Sequence, residues 1–305
     1  METSNNNAQE NPATGTTLAP DNTEAHRTPV KKTVLDAEDV FNLVPRLRKH
    51  PKLVDSLLRF FYVDHVNDIH SRNFDHKGPA FSHALFSDLD IKVKVDGMEN
   101  LDLIRNGGPF ITVSNHPFGA VDGMALIELV GDVRPDYKVM VNMILGKITA
   151  LAPNFITVDA LASDDPAKKA VSMVGIRQCI EQVKKGHGLG FFPAGAVSKV
   201  NWRLRLNDRK WQPSVIRLID KLKVPVIPIY FHGSNSWFFN FLGVVSWQLR
   251  TLRLPREVWG KSHKTIHISV GAPITVEEQR AHAESLDTLG AFLKARTFAL
   301  RSQHD

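Results

Sequence analysis

Apolar residues change their spacing repeatedly along this chain, and each change marks a predicted element. Val34, Val40, Phe41, Val44 and Leu47 recur at helical intervals; Pro51 then restarts the pattern for Val54, Leu57, Leu58, Phe60, Phe61 and Val63. Two or three amphipathic helices are predicted over residues 33–88. Strict alternation in Asp90-Ile91-Lys92-Val93-Lys94-Val95 gives a half-buried strand. A short helix over 101–104 stops at Asn106-Gly107-Gly108, and the β-branched run Ile111-Thr112-Val113 that follows reads as a buried strand. Pro117 and Gly119 break that strand, and a helical pattern starts beside Asp122. Further strands are predicted at 137–141, 155–158, 189–192, 224–231 and 266–270. Helices are predicted at 144–151, 167–185 and 211–222, with one closing helix over 276–300. Strands and helices alternate through the body of the chain. The fold class is therefore α/β, with a mainly parallel central sheet flanked by helices and an N-terminal helical segment.

Three domains of character follow: a disordered tail over 1–32, rich in Asn, Thr, Ala and Pro, amphipathic helices over 33–88, and the α/β body over 89–305. The first thirty or so residues lack an apolar core segment, so no signal peptide is predicted. One stretch departs from the soluble pattern. No formally charged residue occurs from Val224 to Leu249, but Pro225, Pro228 and Gly233-Ser234-Asn235-Ser236 argue against a single membrane-spanning helix. A core strand, a loop and an aromatic segment fit better: Trp237, Phe238, Phe239, Phe241 and Trp247, followed by Arg250, Arg253 and Arg256. Such a segment either lies in the headgroup region of a membrane or packs its aromatics in the core.

Composition narrows the classes. The single cysteine, Cys179, excludes an internal disulfide framework and reads as a buried thiol in a helix. A net charge of +6 favours anionic partners. No zinc-finger spacing, RNA-recognition signature or basic arm is present, so nucleic acid is not expected. The series His65, Asp68, His70, Asp75, His76 and His83 matches no standard metal-ligand motif and reads as a solvated helical face.

The candidate chemistry lies in Asn115-His116-Pro117-Phe118-Gly119-Ala120-Val121-Asp122. Six positions along one helix, at about 3.6 residues per turn, would put His116 and Asp122 on different faces. They meet only if His116 lies in the turn before the helix. A histidine paired to a carboxylate is general-base equipment, because the carboxylate fixes the imidazole tautomer and stabilises the imidazolium. No Gly-x-Ser-x-Gly elbow supplies a nucleophilic serine, so the nucleophile would be a substrate hydroxyl. By itself the turn also fits a histidine that only caps a helix or holds a loop.

With three further segments, the sequence resembles the glycerolipid acyltransferase family, which includes lysophosphatidic acid acyltransferases. It is most similar to the bacterial subgroup often labelled hemolysins, related to O-acyltransferases that complete ornithine- or glycine-type aminolipids. The family's His-x4-Asp block matches His116 to Asp122 with one extra residue, as in the subgroup's Asn-His-Pro-Leu-Gly-Gly-x-Asp. Phe155-Ile156-Thr157-Val158-Asp159-Ala160 loosely matches the second block. Phe192-Pro193-Ala194-Gly195-Ala196-Val197-Ser198 matches the third, Phe-Pro-Glu-Gly-Thr-Arg-Ser, and Val224-Pro225-Val226-Ile227-Pro228-Ile229 matches the fourth. Where the family commonly grips a phosphate, this chain has Ala160, Ala194 and Val197.

The resemblance implies an O-acyltransferase that moves a fatty acyl group from acyl carrier protein or coenzyme A thioester to the hydroxyl of a lyso-lipid. The acceptor would be a lyso-aminolipid or a lysophospholipid. His116 would be the base and Asp122 its partner. Asn115, Phe192, Pro193, Gly195 and Ser198 would shape the substrate site, with backbone N–H groups near Gly195 for the oxyanion. Lys199, Arg203 and Arg205 either bind an anionic head or form a solvated basic loop. No metal or bound cofactor is implied, the thioester being a substrate, and the place of action would be the cytoplasmic face of the inner membrane, peripherally. The reading from another class is a non-catalytic membrane-associated lipid-binding protein that kept the fold.

Overall fold

A computed structural model of the chain describes residues 32–143, 145–158, 166–197, 199–200, 206–207 and 209–303. The expected tail, apart from Lys32, lies outside these residues. Four helices open the described chain, α1 (Ala37–Leu43), α2 (Pro51–Phe60), α3 (Val63–Arg72) and α4 (Pro79–Asp88). They outnumber the two or three expected because the backbone breaks twice: Tyr62 turns left-handed at φ 60° between α2 and α3, and Gly78 at φ 58° precedes Pro79.

The body then alternates β1 (Lys92–Asp96), α5 (Asp102–Arg105), β2 (Phe110–Ser114), α6 (Ala120–Gly131), β3 (Lys138–Asn142), β4 (Phe155–Val158), α7 (Pro166–Lys184) and β5 (Gly188–Phe191). A two-residue pair, β6 (Lys199–Val200) and β7 (Leu206–Asn207), follows. The remaining elements are α8 (Pro213–Leu222), β8 (Val226–His232), α9 (Trp237–Val245), α10 (Trp247–Trp259), β9 (Thr265–Val270), α11 (Val276–Ala281) and α12 (Leu286–Phe298). Seven strands form one sheet in the order β1-β9-β8-β2-β5-β3-β4. Only β8 and β9 pair antiparallel; every other neighbouring pair is parallel. The sheet is therefore mainly parallel, as the alternating pattern predicted.

Burial on both faces explains the continuous apolar run of β2. Phe110 joins α4 and α6 residues, including Phe81, Leu85, Val121 and Met124, on one side. Ile111 and Val113 point to the other, with Cys179 of α7, Ile219 of α8 and Leu293 of α12. The N-terminal helix α4 thus shares the core of the sheet. Gly188 and Gly190 of β5 mark close approach rather than a turn: a Cβ there would collide with the Phe110 ring and the Tyr137 hydroxyl. Cys179 is buried, and burial pushes its thiol up to about 12, which fits the structural role expected of it.

At the opposite edge from the strand C-termini, Arg134 ties the chain together. Its guanidinium pairs with Asp136 at 2.9 and 2.6 Å and donates to the carbonyls of Ile104, Gly108 and Gly186 at 2.9–3.0 Å. The planar fork satisfies three carbonyls at once, one in α5 and two in the loops just before β2 and β5.

Three sequence expectations change. The single closing helix is two, because Ser285 starts a new capping box with Thr288 and ends the continuity after Ala281. The expected helix over 144–151 is instead a pair of 3-10 turns, Leu145–Lys147 and Thr149–Asn154, the second holding Pro153. The aromatic segment becomes α9 and α10, divided at Ser246, whose extended backbone ends one helix while its hydroxyl caps the next.

Candidate active site

Strand β2 lies between β5 and β8, and all three run parallel, so their C-terminal ends open at one edge of the sheet. Crevices at that edge are where open α/β sheets place ligands. Here β2 delivers Asn115 and His116, and β5 delivers Phe192.

His116 lies in the turn ahead of α6, as the spacing required. Its Nδ1 is 2.9 Å from Asp122 Oδ2. The same Oδ2 accepts the backbone N–H groups of Phe118 and Gly119, both at 2.9 Å. Asp122 is fully buried at the third position of α6, with both amides directed at its carboxylate. One carboxylate therefore folds the turn and orients the imidazole. Gly119 makes this possible. Its φ is +86°, and a Cβ would meet Leu254 at 2.9 Å and Val197 at 3.3 Å.

Neighbouring elements hold the turn from outside. The Asn115 amide donates to the Phe231 carbonyl at 2.9 Å and accepts the Phe231 N–H at 2.7 Å. This side chain, expected in substrate binding, instead bridges to β8 as a buried strap. Asn235 donates to the Phe118 carbonyl at 3.1 Å, and Lys261 Nζ sits 4.3 Å from the centre of the Phe118 ring. Burial lowers the Lys261 pKa. Neither Asn235 nor Lys261 carries a local sequence signal, since each reaches the turn only through the fold.

His116 opens on a cavity of about 410 Å³ whose wall includes Phe192, Gly195 and Ala196. The Phe192 and His116 rings lie 4.3 Å apart. Pro193 stays off this wall, and its carbonyl accepts the Gln212 N–H at 2.8 Å. The Gly195 N–H, a candidate oxyanion donor, closes a turn on the Phe192 carbonyl at 2.9 Å. Gly195 is nonetheless required there: its φ is +66° and a Cβ would strike Gln212. Ser198, Arg203 and Arg205 lie outside the described residues. Lys199 is described only in its backbone, as the start of β6. The wall carries two arginines from elsewhere, Arg209 and Arg250.

A second cavity of about 520 Å³ adjoins the first through Ala120, Leu145, Thr251 and Leu254, which line both. Its remaining wall is largely apolar and comes mainly from the N-terminal helices and α10, with Phe81, Leu85 and Leu252 among its residues, and with Met124 of α6. The sequence left the role of those helices open, and here they enclose space next to the His–Asp pair. The acidic and histidine series has separate duties. His65 stacks on Trp259 at 4.6 Å, and His70 Nδ1 lies 2.7 Å from the Lys32 carbonyl. Among the described residues no three His, Cys, Asp or Glu side chains cluster as a metal site.

Comparison with known proteins places the chain in a family. A family model described as acyltransferase matches residues 41–305. A lyso-glycine lipid O-acyltransferase of Bacteroides thetaiotaomicron is 30% identical over 73% of this chain and 81% of its own length. A protein of the same description from Phocaeicola vulgatus is 27% identical over 73% of this chain and 79% of its own. Among solved structures, the 1-acyl-sn-glycerophosphate acyltransferase of Thermotoga maritima aligns at a TM-score of 0.47 and 16% identity, covering 81% of this chain and 95% of that one. On the family match and the curated relatives, the chain belongs to the glycerolipid acyltransferase family and is an acyltransferase.

Proposed function

We propose that this protein transfers a fatty acyl group from a thioester, of acyl carrier protein or coenzyme A, to the hydroxyl of a lyso-lipid at a membrane surface. The observation that carries the reading is the His116–Asp122 pair, with His116 on the wall of one cavity and a second, apolar cavity beside it. With Nδ1 turned to Asp122, proton transfer falls to Nε2 of His116. The acceptor oxygen attacks the thioester carbonyl as its proton passes to Nε2, and Asp122 stabilises the imidazolium. Collapse of the tetrahedral intermediate breaks the carbon–sulfur bond, and the departing thiolate takes the proton back from His116. The apolar cavity suits an acyl chain. The names of the two curated relatives favour a lyso-glycine lipid acceptor over a lysophospholipid. Incubation of the protein with acyl thioester and lyso-lipid tests this. Ester formation is expected, and release of free fatty acid or no turnover would reject it.

The membrane surface enters through α9. Trp237 is 65% exposed and Val244 75% exposed, with Phe241 and Val245 on the same outward side, while Phe239 and Leu242 face the core. A helix that turns its apolar face to solvent marks an interaction surface, and tryptophan suits the headgroup level. Among the described residues no helix is long and apolar enough to cross a membrane. The contact proposed is peripheral, at the cytoplasmic face of the inner membrane. Arg253 is buried and paired with Glu257, while Arg256 donates to the Phe60 carbonyl. Trp237→Asp with Val244→Asp should reduce co-sedimentation with anionic phospholipid vesicles by about tenfold or more. Thermal stability should hold, since both side chains are exposed.

A further inference from the structure

Two guanidinium groups from segments far apart in sequence wall the His116 cavity, Arg209 ahead of α8 and Arg250 in the first turns of α10. Arg250 is buried, and its Nη1 has no hydrogen-bond partner among the described residues. A buried charge without a counter-charge is strongly unfavourable. The other arginines of α10 avoid that state. Arg253 pairs with Glu257 at 3.1 Å, and Arg256 donates to the Phe60 carbonyl at 2.8 Å and covers the Tyr62 ring at 4.6 Å.

Arg250 is placed differently. It lies against Gly243 of α9, where a Cβ would come within 2.7 Å of its Cδ and 2.9 Å of its Nη1. Its guanidinium is 5.4 Å from the centre of the Phe239 ring. The absent side chain at 243 and the ring beside it fix the cation in the cavity wall. Burial and the neighbouring Arg209 pull Arg250 down to about 10, so it is a cation at neutral pH. A guanidinium held on the wall with its Nη1 unpartnered among the described residues is relieved when an anion joins it, and its fork matches a carboxylate or phosphate.

We propose that Arg250, assisted by Arg209, binds the oxyanion of the acceptor headgroup, the carboxylate of an N-acylated amino acid or the phosphate of a lysophospholipid, and so aligns the acceptor hydroxyl with His116. The proposal rests on the acyl-transfer reading for the identity of that acceptor.

The test uses the full chain with two matched acceptor pairs: a lyso-glycine lipid and its carboxyl methyl ester, and lysophosphatidic acid and the uncharged monoacylglycerol. Binding is measured by titration, and transfer from a saturating acyl thioester is measured in parallel. Arg250→Gln should raise Kd and KM for the preferred anionic acceptor by about ten- to a hundredfold, as expected for a lost charge-assisted contact. Affinity for the neutral counterpart and KM for the thioester should change less than about twofold. Arg209→Gln should show a smaller loss of the same kind. Arg250→Lys keeps the charge and stem and guards against a folding defect; it should fall between wild type and Arg250→Gln. The pair that responds identifies carboxylate or phosphate. Equal losses for charged and neutral acceptors, a change confined to the thioester, or no anionic preference in the wild type would overturn the proposal. Selective loss of anion binding without wild-type transfer to any acceptor would support the anion site and reject the acyl-transfer reading instead.

Discussion

Replacing His116 by alanine is expected to lower kcat for acyl transfer by about 10²–10⁴-fold, the range that a positioned general base contributes. KM for either substrate should move far less, because the imidazole acts on the proton and not on the headgroup or chain. The fold should survive. Asp122 would keep its two backbone donors, Phe118 and Gly119, and the lost ring would open onto the existing cavity. A loss near 1 kcal/mol corresponds to a Tm change of about 2–4 °C in a chain of this size. Steady-state kinetics on both substrates, with a melting curve, checks this. A variant that melts normally and retains turnover within a few fold would remove His116 from the mechanism.

Asp122 should matter twice, for chemistry and for folding. Asp122→Asn keeps the size and one acceptor oxygen, so the turn can still receive Phe118 and Gly119. The imidazole loses its anionic partner and its fixed tautomer, and kcat is expected to fall by about 10²–10⁴-fold. Asp122→Ala goes further. Two backbone N–H groups and the imidazole Nδ1 would face a buried space with no acceptor from this side chain, at about 1–3 kcal/mol for each unsatisfied group. A stability loss of about 3 kcal/mol or more is expected in chemical denaturation. The double change His116→Ala with Asp122→Asn should be scarcely slower than His116→Ala alone, because the carboxylate acts on catalysis through the histidine. Additive losses would show that Asp122 contributes by another route.

Local patterns in the sequence determined the strand, the turn and the His–Asp meeting, because each depends on neighbours within a few residues. Alternation and apolar runs gave the strands and their mainly parallel arrangement, and Pro117 with Gly119 pointed to a turn in which His116 could precede the helix. A strong local pattern also misled where a cap intervened: apolar spacing runs through 276–300, but Ser285 restarts the helix. Only the tertiary structure decided what surrounds the pair. Asn115 and Phe231 are 116 positions apart, yet their pairing turns a candidate substrate ligand into a strap. Arg250, Arg253 and Arg256 follow one another at identical spacing. Glu257 and the Phe60 carbonyl claim two of them, and Gly243 admits the first to the wall of the His116 cavity. Periodicity assigns a residue to a face of its own helix; what that face meets depends on other elements, and charge, space and hydrogen-bond partners there are set by packing.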